Sequence, residues 1–209
     1  MRGLLTAWRL ALAALLVQAC ATPPAAPPGD PEAFAAYQER RSGITAIGHW
    51  RLSGKLSIDD GEDGGSGRLD WVVNGDFAQL DFRGAFGKGA WRLELGPSGA
   101  RLHKADGSVV VAPTVDTLVV EEVGWRIPVD ALQWWARGLA APGDERAMEL
   151  DPEGRVLRLN QHGWEILYSR YRAFGNQQLP GRMDASSGDR RVKLAIVGWT
   201  PQEPETPDE

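Results

Sequence analysis

The chain is 209 residues long and carries 23 Lys and Arg against 28 Asp and Glu, three His and one Cys, for a formal net charge of −5. An acidic balance of this kind argues against nucleic acid as a partner and against a polybasic grip on anionic lipid. A single cysteine rules out an internal disulfide, so the fold must rest on its core.

The first residues read as a processing signal. Arg2 and Arg9 flank the start of a short apolar run over 10–17, well below the roughly 20 residues of a spanning helix, in the layout of a secretory signal. The run ends in Leu16-Val17-Gln18-Ala19-Cys20. Aliphatic Val17 and small Ala19 before Cys20 resemble the lipobox of bacterial lipoproteins. That resemblance implies cleavage before Cys20, a diacylglycerol thioether on its sulfur and an acylated amino group; the alternative is an unmodified thiol after an ordinary signal. Ala21, where an Asp would favour the inner membrane in the enterobacterial sorting rule, points to the outer membrane. Residues 1–19 are thus expected to be removed, leaving 21 basic against 28 acidic side chains and a net charge of −7. Residues 20–29 form the lipidated cysteine and a proline-rich, semi-rigid tether. Residues 30–199 suit one domain. Residues 200–209 are acidic, proline-broken and expected to be disordered. The chain is then anchored to a membrane rather than spanning it.

Within the domain, Asp30-Pro31-Glu32 is a helix start, and Phe34, Tyr37, Arg41 and Ile44 continue a helix expected over 30–43. From Trp50 the period becomes two. Trp50, Leu52, Gly54, Leu56 and Ile58 alternate with Arg51, Ser53, Lys55 and Ser57, the pattern of a half-buried strand. The run over 59–65 is a turn. Leu69, Trp71 and Val73 form the next apolar face, Asn74-Gly75 is a hairpin signal, and Leu80 with Phe82 continues the series. Trp91, Leu93 and Leu95 follow, then shorter strands over 100–104 and 108–112. Two helical stripes interrupt the series: Val115, Leu118, Val119 and Val123 over 114–123, and Val129, Leu132, Trp135 and Ala136 over 128–137, with Gly138 as terminator. Strands resume with Leu157 and Leu159, then Trp164, Ile166 and Tyr168, then Val192, Leu194 and Ile196. The pattern is mostly β within an α+β chain: an antiparallel meander of roughly ten strands curling toward a barrel.

One face of nearly every strand is large and apolar. A sheet curled with that face inward must be filled, by its own side chains or by a ligand. Periodicity leaves both open, because most apolar stripes are core. The loop Arg83-Gly84-Ala85-Phe86-Gly87-Lys88-Gly89 adds a clue. Three glycines leave nothing bulky to pack over Phe86, and an exposed ring would forfeit about 1.5–3 kcal/mol of burial. An exposed ring beside Lys88 is the composition of a membrane-dipping finger; a ring folded back on the sheet is the alternative.

Catalytic patterns are missing. His49, His103 and His162 lack metal-ligand spacing, no Gly-x-Ser-x-Gly elbow occurs, and 59–64 lacks the alternate-residue ligand order of an EF-hand and reads as a solvated hairpin tip. No cofactor and no metal are expected, and the chain is not expected to be an enzyme.

Several segments together resemble the LolB family of outer-membrane lipoprotein receptors. They are Leu69-Asp70-Trp71, Gly84-Ala85-Phe86-Gly87, the run from Gly124-Trp125-Arg126-Ile127-Pro128 to Trp134-Trp135-Ala136-Arg137-Gly138, the run over 161–171, Leu179-Pro180, and the run over 191–199. The resemblance implies an unclosed antiparallel β-barrel of ten or eleven strands with a helical lid over a hydrophobic cavity. Residues expected to face that cavity are Trp50, Leu52, Leu69, Trp71, Leu80, Phe82, Trp91, Leu93, Leu118, Val119, Leu132, Trp135, Trp164 and Ile166. It further implies a periplasmic, LolA-like carrier as donor, an acylated lipoprotein as cargo and outer-membrane phospholipid as destination, with the chain acting as a monomer. Phe86 matches the family's protruding apolar residue, more often a leucine in an Asn-Pro-Leu-Gly context. The rival class is a lipoprotein scaffold that binds protein partners and has no acyl-chain cavity.

Overall fold

The computed structural model describes residues 29–61, 64–84, 89–143 and 146–202. Cys20 and its tether, Phe86 with its neighbours 85–88, and the tail from 203 lie outside the described residues.

Helix α1 spans Pro31–Thr45. The Asp30 carboxylate accepts the Glu32 backbone N–H at 2.9 Å and Pro31 opens the first turn, satisfying donors that a helix start leaves free. Its inward residues are Ala33, Tyr37 and Ile44. Phe34, expected on that face, is 37% exposed; the 33–37–44 line lies about a sixth of a turn or more away from it, and only one of the two rows can meet the sheet.

Strands β1 (His49–Asp59), β2 (Gly64–Asn74), β3 (Phe77–Gly84), β4 (Trp91–Gly96), β5 (Gly99–Lys104) and β6 (Val109–Ala112) form one antiparallel meander. After the helical segment the chain returns as β7 (Arg146–Leu150), β8 (Val156–Gln161) and β9 (Trp164–Ser169). A separate hairpin, β10 (Arg172–Phe174) with β11 (Gln177–Leu179), precedes β12 (Arg182–Ser187) and β13 (Arg190–Pro201). The main sheet has eleven strands in the order β6-β5-β4-β3-β2-β1-β13-β12-β9-β8-β7. Two meanders are therefore welded where β1 meets β13, and the edge strands β6 and β7 are not paired with each other. The barrel is unclosed.

Register keeps one face apolar. Trp50, Leu52, Leu56 and Ile58 of β1 are buried while Arg51, Lys55 and Asp59 are exposed. Opposite them a bulge in β13 shifts register between Ser53 and Gly54, leaving Val197 72% exposed and returning Trp199 to the buried side after Ile196. Gly54 fits this approach because a Cβ there would stand 2.6 Å from the Ala195 carbonyl oxygen. A second bulge, opposite Glu149 and Leu150, corrects the expected face of β8: Val156 and Leu159 point inward, while Leu157 is 38% exposed. In the turn between β1 and β2, Asp59, Gly61 and Gly64 are exposed as expected, while Asp60 is buried.

The segment between β6 and β7 folds as α2 (Val115–Leu118), a π-helical turn (Val119–Val123) and α3 (Val129–Trp135). The first of the two expected helices is thus divided. Its end is set by Gly124, whose φ of 80° closes the turn in the left-handed region, where glycine carries no Cβ penalty.

The β7–β8 turn packs directly on α1. A Cβ on Gly154 would lie 2.3 Å from the Tyr37 backbone nitrogen, and its φ is +70°. Gly154→Val is expected to lower stability by roughly 2–4 kcal/mol through backbone strain and displacement of α1. A melting temperature within a degree of the parent would contradict that packing.

Candidate functional site

Of the fourteen residues expected to face an interior, thirteen are buried on the inner side of the sheet or the underside of the helical cover. Trp91 is half-buried at one rim. Most touch one another in a single apolar cluster. Trp50 and Trp71 meet with ring centroids 5.6 Å apart, and Trp135 and Trp164 at 6.2 Å. The interior is therefore closely packed through its middle, and open space lies at its two ends.

The rim near the β3–β4 connection holds a recess of about 740 Å³, bounded by Gly65, Phe82, Trp91, Lys104, Glu122 and Trp125. The opposite rim holds one of about 570 Å³, bounded by Trp71, Phe77, Thr114, Val129, Asp130 and Gln133. Both volumes fall in the roughly 300–1,000 Å³ range of small-ligand pockets. At the second recess Asp130 lies in the first turn of α3, and burial, then the nearby Asp116 carboxylate, raises its pKa.

The cover is held unevenly. Beyond α3, Gln161 is fully buried and clamps the chain: its Oε1 accepts from the Trp135 indole N–H at 3.1 Å and from the Ala141 N–H at 2.9 Å, and its Nε2 donates to the Ala141 carbonyl at 2.8 Å. From α1, Arg41 donates to the Ala140 carbonyl at 2.8 Å, and the Tyr37 hydroxyl accepts the Ala140 N–H at 3.2 Å. Arg137, 6% exposed, lies over Trp134 at 5.0 Å and over Trp50 at 5.3 Å while donating to the Gln133 carbonyl at 3.1 Å. Burial, with the Arg41 charge second, lowers its pKa to about 10, so it stays cationic at neutral pH. Two ring faces and the negative end of α3 offset its desolvation.

At the other end of the cover, Trp125 is nearly buried and stands edge-on to Phe82 at 5.3 Å and to Trp91 at 5.8 Å, while Phe82 and Trp91 stack at 5.3 Å. Contacts of this kind contribute about 0.5–1.5 kcal/mol each beyond area burial. Lys104 and Glu122 form a half-buried ion pair beside them.

Sequence reasoning placed the faces of β1 to β5, β9 and β13 but gave no structural role to Gln161, Arg137 or Trp125. An inward polar residue at the end of an apolar strand was the available signal for Gln161. Trp125 lies in the turn between two helices, where no period marks a buried side.

Among the described residues no group of three His, Cys, Asp or Glu is placed to hold a metal, and no helix is long and apolar enough to cross a membrane. Gln161→Leu is expected to strand one indole N–H and both polar groups of Ala141, lowering stability by about 3 kcal/mol. Hydrogen exchange at 139–141 should accelerate with it; unchanged protection there would contradict the clamp.

Comparison with known proteins agrees with this architecture. The family model described as outer membrane lipoprotein LolB matches residues 48–199. A protein of Alkalilimnicola ehrlichii named outer-membrane lipoprotein LolB is 41% identical over 190 residues, covering 90% of this chain and 94% of that one. One of the same name from Stutzerimonas stutzeri is 34% identical over 192 residues, covering 92% and 93%. Two crystal structures share the fold at low identity. A LolA-superfamily protein from Nitrosomonas europaea has a TM-score of 0.50 at 6% identity, over 82% of this chain and 92% of that one. A protein from Vibrio parahaemolyticus, described as a putative outer membrane lipoprotein-sorting protein domain, has 0.52 at 11%, over 83% and 94%. The chain belongs to the outer membrane lipoprotein LolB family.

Proposed function

We propose that this chain is a lipid-anchored receptor on the periplasmic face of the outer membrane. It accepts acylated lipoproteins from a LolA-like periplasmic carrier and delivers them into the inner leaflet. The observation that carries this reading is the family match across the whole curled sheet and its cover. The physical arrangement supports it: an apolar inner face spans eleven strands, covered by the β6–β7 segment together with α1.

Acyl chains cannot pass through water on a useful timescale, because each exposed methylene costs about 0.8 kcal/mol. A carrier of similar fold and this receptor therefore exchange cargo from one apolar interior to another. Cys20, acylated, holds the receptor near its target and raises the effective concentration of acceptor there. Phe86, on the glycine-framed connection between β3 and β4, touches outer-membrane phospholipid during release. Receptor and cargo meet one to one, the receptor acting as a monomer without cofactor or catalysis.

Transfer is checked by adding a carrier–lipoprotein complex to the mature protein in liposomes and following the cargo. Movement of cargo to this protein is expected; a carrier that keeps its cargo would contradict the receptor reading and favour a protein-binding scaffold. Phe86→Glu is expected to accept cargo normally yet deliver it at least about tenfold more slowly, since a carboxylate in the acyl region costs several kcal/mol. Unimpaired delivery would remove Phe86 from the mechanism.

A further inference from the structure

Both ends of the interior offer space, yet they differ in what borders them and in how firmly the cover is fixed there. We propose that acyl chains pass only through the 740 Å³ recess beneath Trp125, and that Trp125 is the aromatic latch closing that portal; this rests on the receptor reading above.

Four observations converge. First, the C-terminal half of the cover is bonded on three sides, to Gln161, to Arg41 and to Tyr37, and Leu139 and Ala140 are wholly buried. The half carrying Trp125 is held by ring contacts, by the Lys104–Glu122 pair and by a long, exposed hydrogen bond of 3.4 Å from the Arg190 guanidinium to the Arg126 carbonyl. A partly exposed ion pair contributes little, and ring contacts are the kind that an acyl chain can replace. Second, the backbone around Trp125 is irregular. The π-helical turn Val119–Val123 ends at left-handed Gly124, and the Trp125 N–H reaches back to the Val119 carbonyl at a long 3.3 Å. π-Helical turns of this kind recur at functional sites. Third, the sheet rim is cut away under the latch. Gly65 has no side chain, and a Cβ there would stand 3.3 Å from Trp125 Cζ2; Gly64, Gly84 and Gly89 border the same recess. Fourth, the two rims differ chemically. The latch recess sets the three rings of Phe82, Trp91 and Trp125 beside Lys104, Asp106 and Glu122. The opposite recess has two rings, Trp71 and Phe77, and sets them beside Asp76, Thr114, Asp130 and Gln133, with no cationic side chain in its lining.

Swinging the 119–127 segment about Gly124 would expose Phe82 and Trp91 and join the recess to the inner face, while the 139–141 anchor stays in place. Gly84 and Gly89, the described ends of the β3–β4 connection, border the recess.

The test uses the mature lipidated protein in liposomes. Its one native cysteine is consumed as a thioether, so introduced thiols react alone. Lys104→Cys with Glu122→Cys, bridged by a short cleavable bis-thiol reagent, pins the latch half of the cover to the sheet. Ala78→Cys with Gln133→Cys, bridged alike, pins the opposite rim. Bridging the first pair is expected to slow uptake of carrier-bound lipoprotein at least about tenfold relative to the same protein after cleavage, and bridging the second to change it by less than about twofold. Equal uptake by the first protein, bridged or cleaved, would overturn the portal while leaving the receptor reading intact. Failure of both cleaved proteins and of the parent to take cargo would instead overturn the receptor reading. Trp125→Ala supplies an independent measurement with anilinonaphthalene sulfonate as probe: several-fold brighter dye fluorescence at unchanged far-UV dichroism is expected, and unchanged fluorescence would overturn the latch.

Discussion

The fold depends on one topological constraint: β6 and β7 are the two edges of an eleven-stranded sheet and are joined by a single covalent segment. Because the edges do not pair, the segment between them must cross the open side of the curl. There, together with α1, it walls the apolar face. Strand edges otherwise invite pairing with other chains, and the crossing keeps the inner face, with its buried tryptophans, from meeting water. One connection thus supplies both the missing wall and the means of removing it.

Energetics separate a permanent wall from a removable one. The anchored end, around Gln161 and Ala140, uses directional bonds in a dry setting, where each unmade bond costs about 1–3 kcal/mol. The latch end relies mainly on apolar contact, which any hydrocarbon can replace at about 0.8 kcal/mol per methylene, with its ion pair and the Arg190–Arg126 hydrogen bond at the solvent-facing side. A few methylenes of cargo therefore offset the separation of Trp125 from Phe82 and Trp91. Buried bonds in the latch would have kept the cover shut, and apolar contacts at both ends would have let the segment detach. The close packing of Trp50, Trp71, Trp135 and Trp164 fits the same scheme: an empty greasy chamber would be costly, so the interior closes on itself and cargo must open it.

Most of the sheet was legible because a period of two with large apolar residues survives in β1 to β5, β9 and β13. Legibility failed where packing replaced alternation. The β8 face was misassigned because its bulge slips the register and turns Leu157 outward. Strand β12 escaped notice because Met183 and Ala185, its buried residues, are separated by charged and small side chains with little apolar contrast. Strand β7 is an edge with half-exposed residues, and the β10–β11 hairpin carries only three residues on each side. The helix over 114–123 was read from a sound stripe, yet nothing in Val-Glu-Glu-Val announces a widened π-turn. The polar clamp at Gln161 depends on a partner twenty residues away and has no local signature.

The claim on which all of this turns is that the inner face of the curl receives the acyl chains. A lipoprotein cargo carrying a photoreactive acyl chain, loaded from its carrier and irradiated, reports contacts directly by mass spectrometry. Adducts are expected on inward residues such as Leu80, Leu93 and Leu118. Adducts confined to outward Val111, Leu167 and Val197, all exposed on the far side of the sheet, would contradict the account.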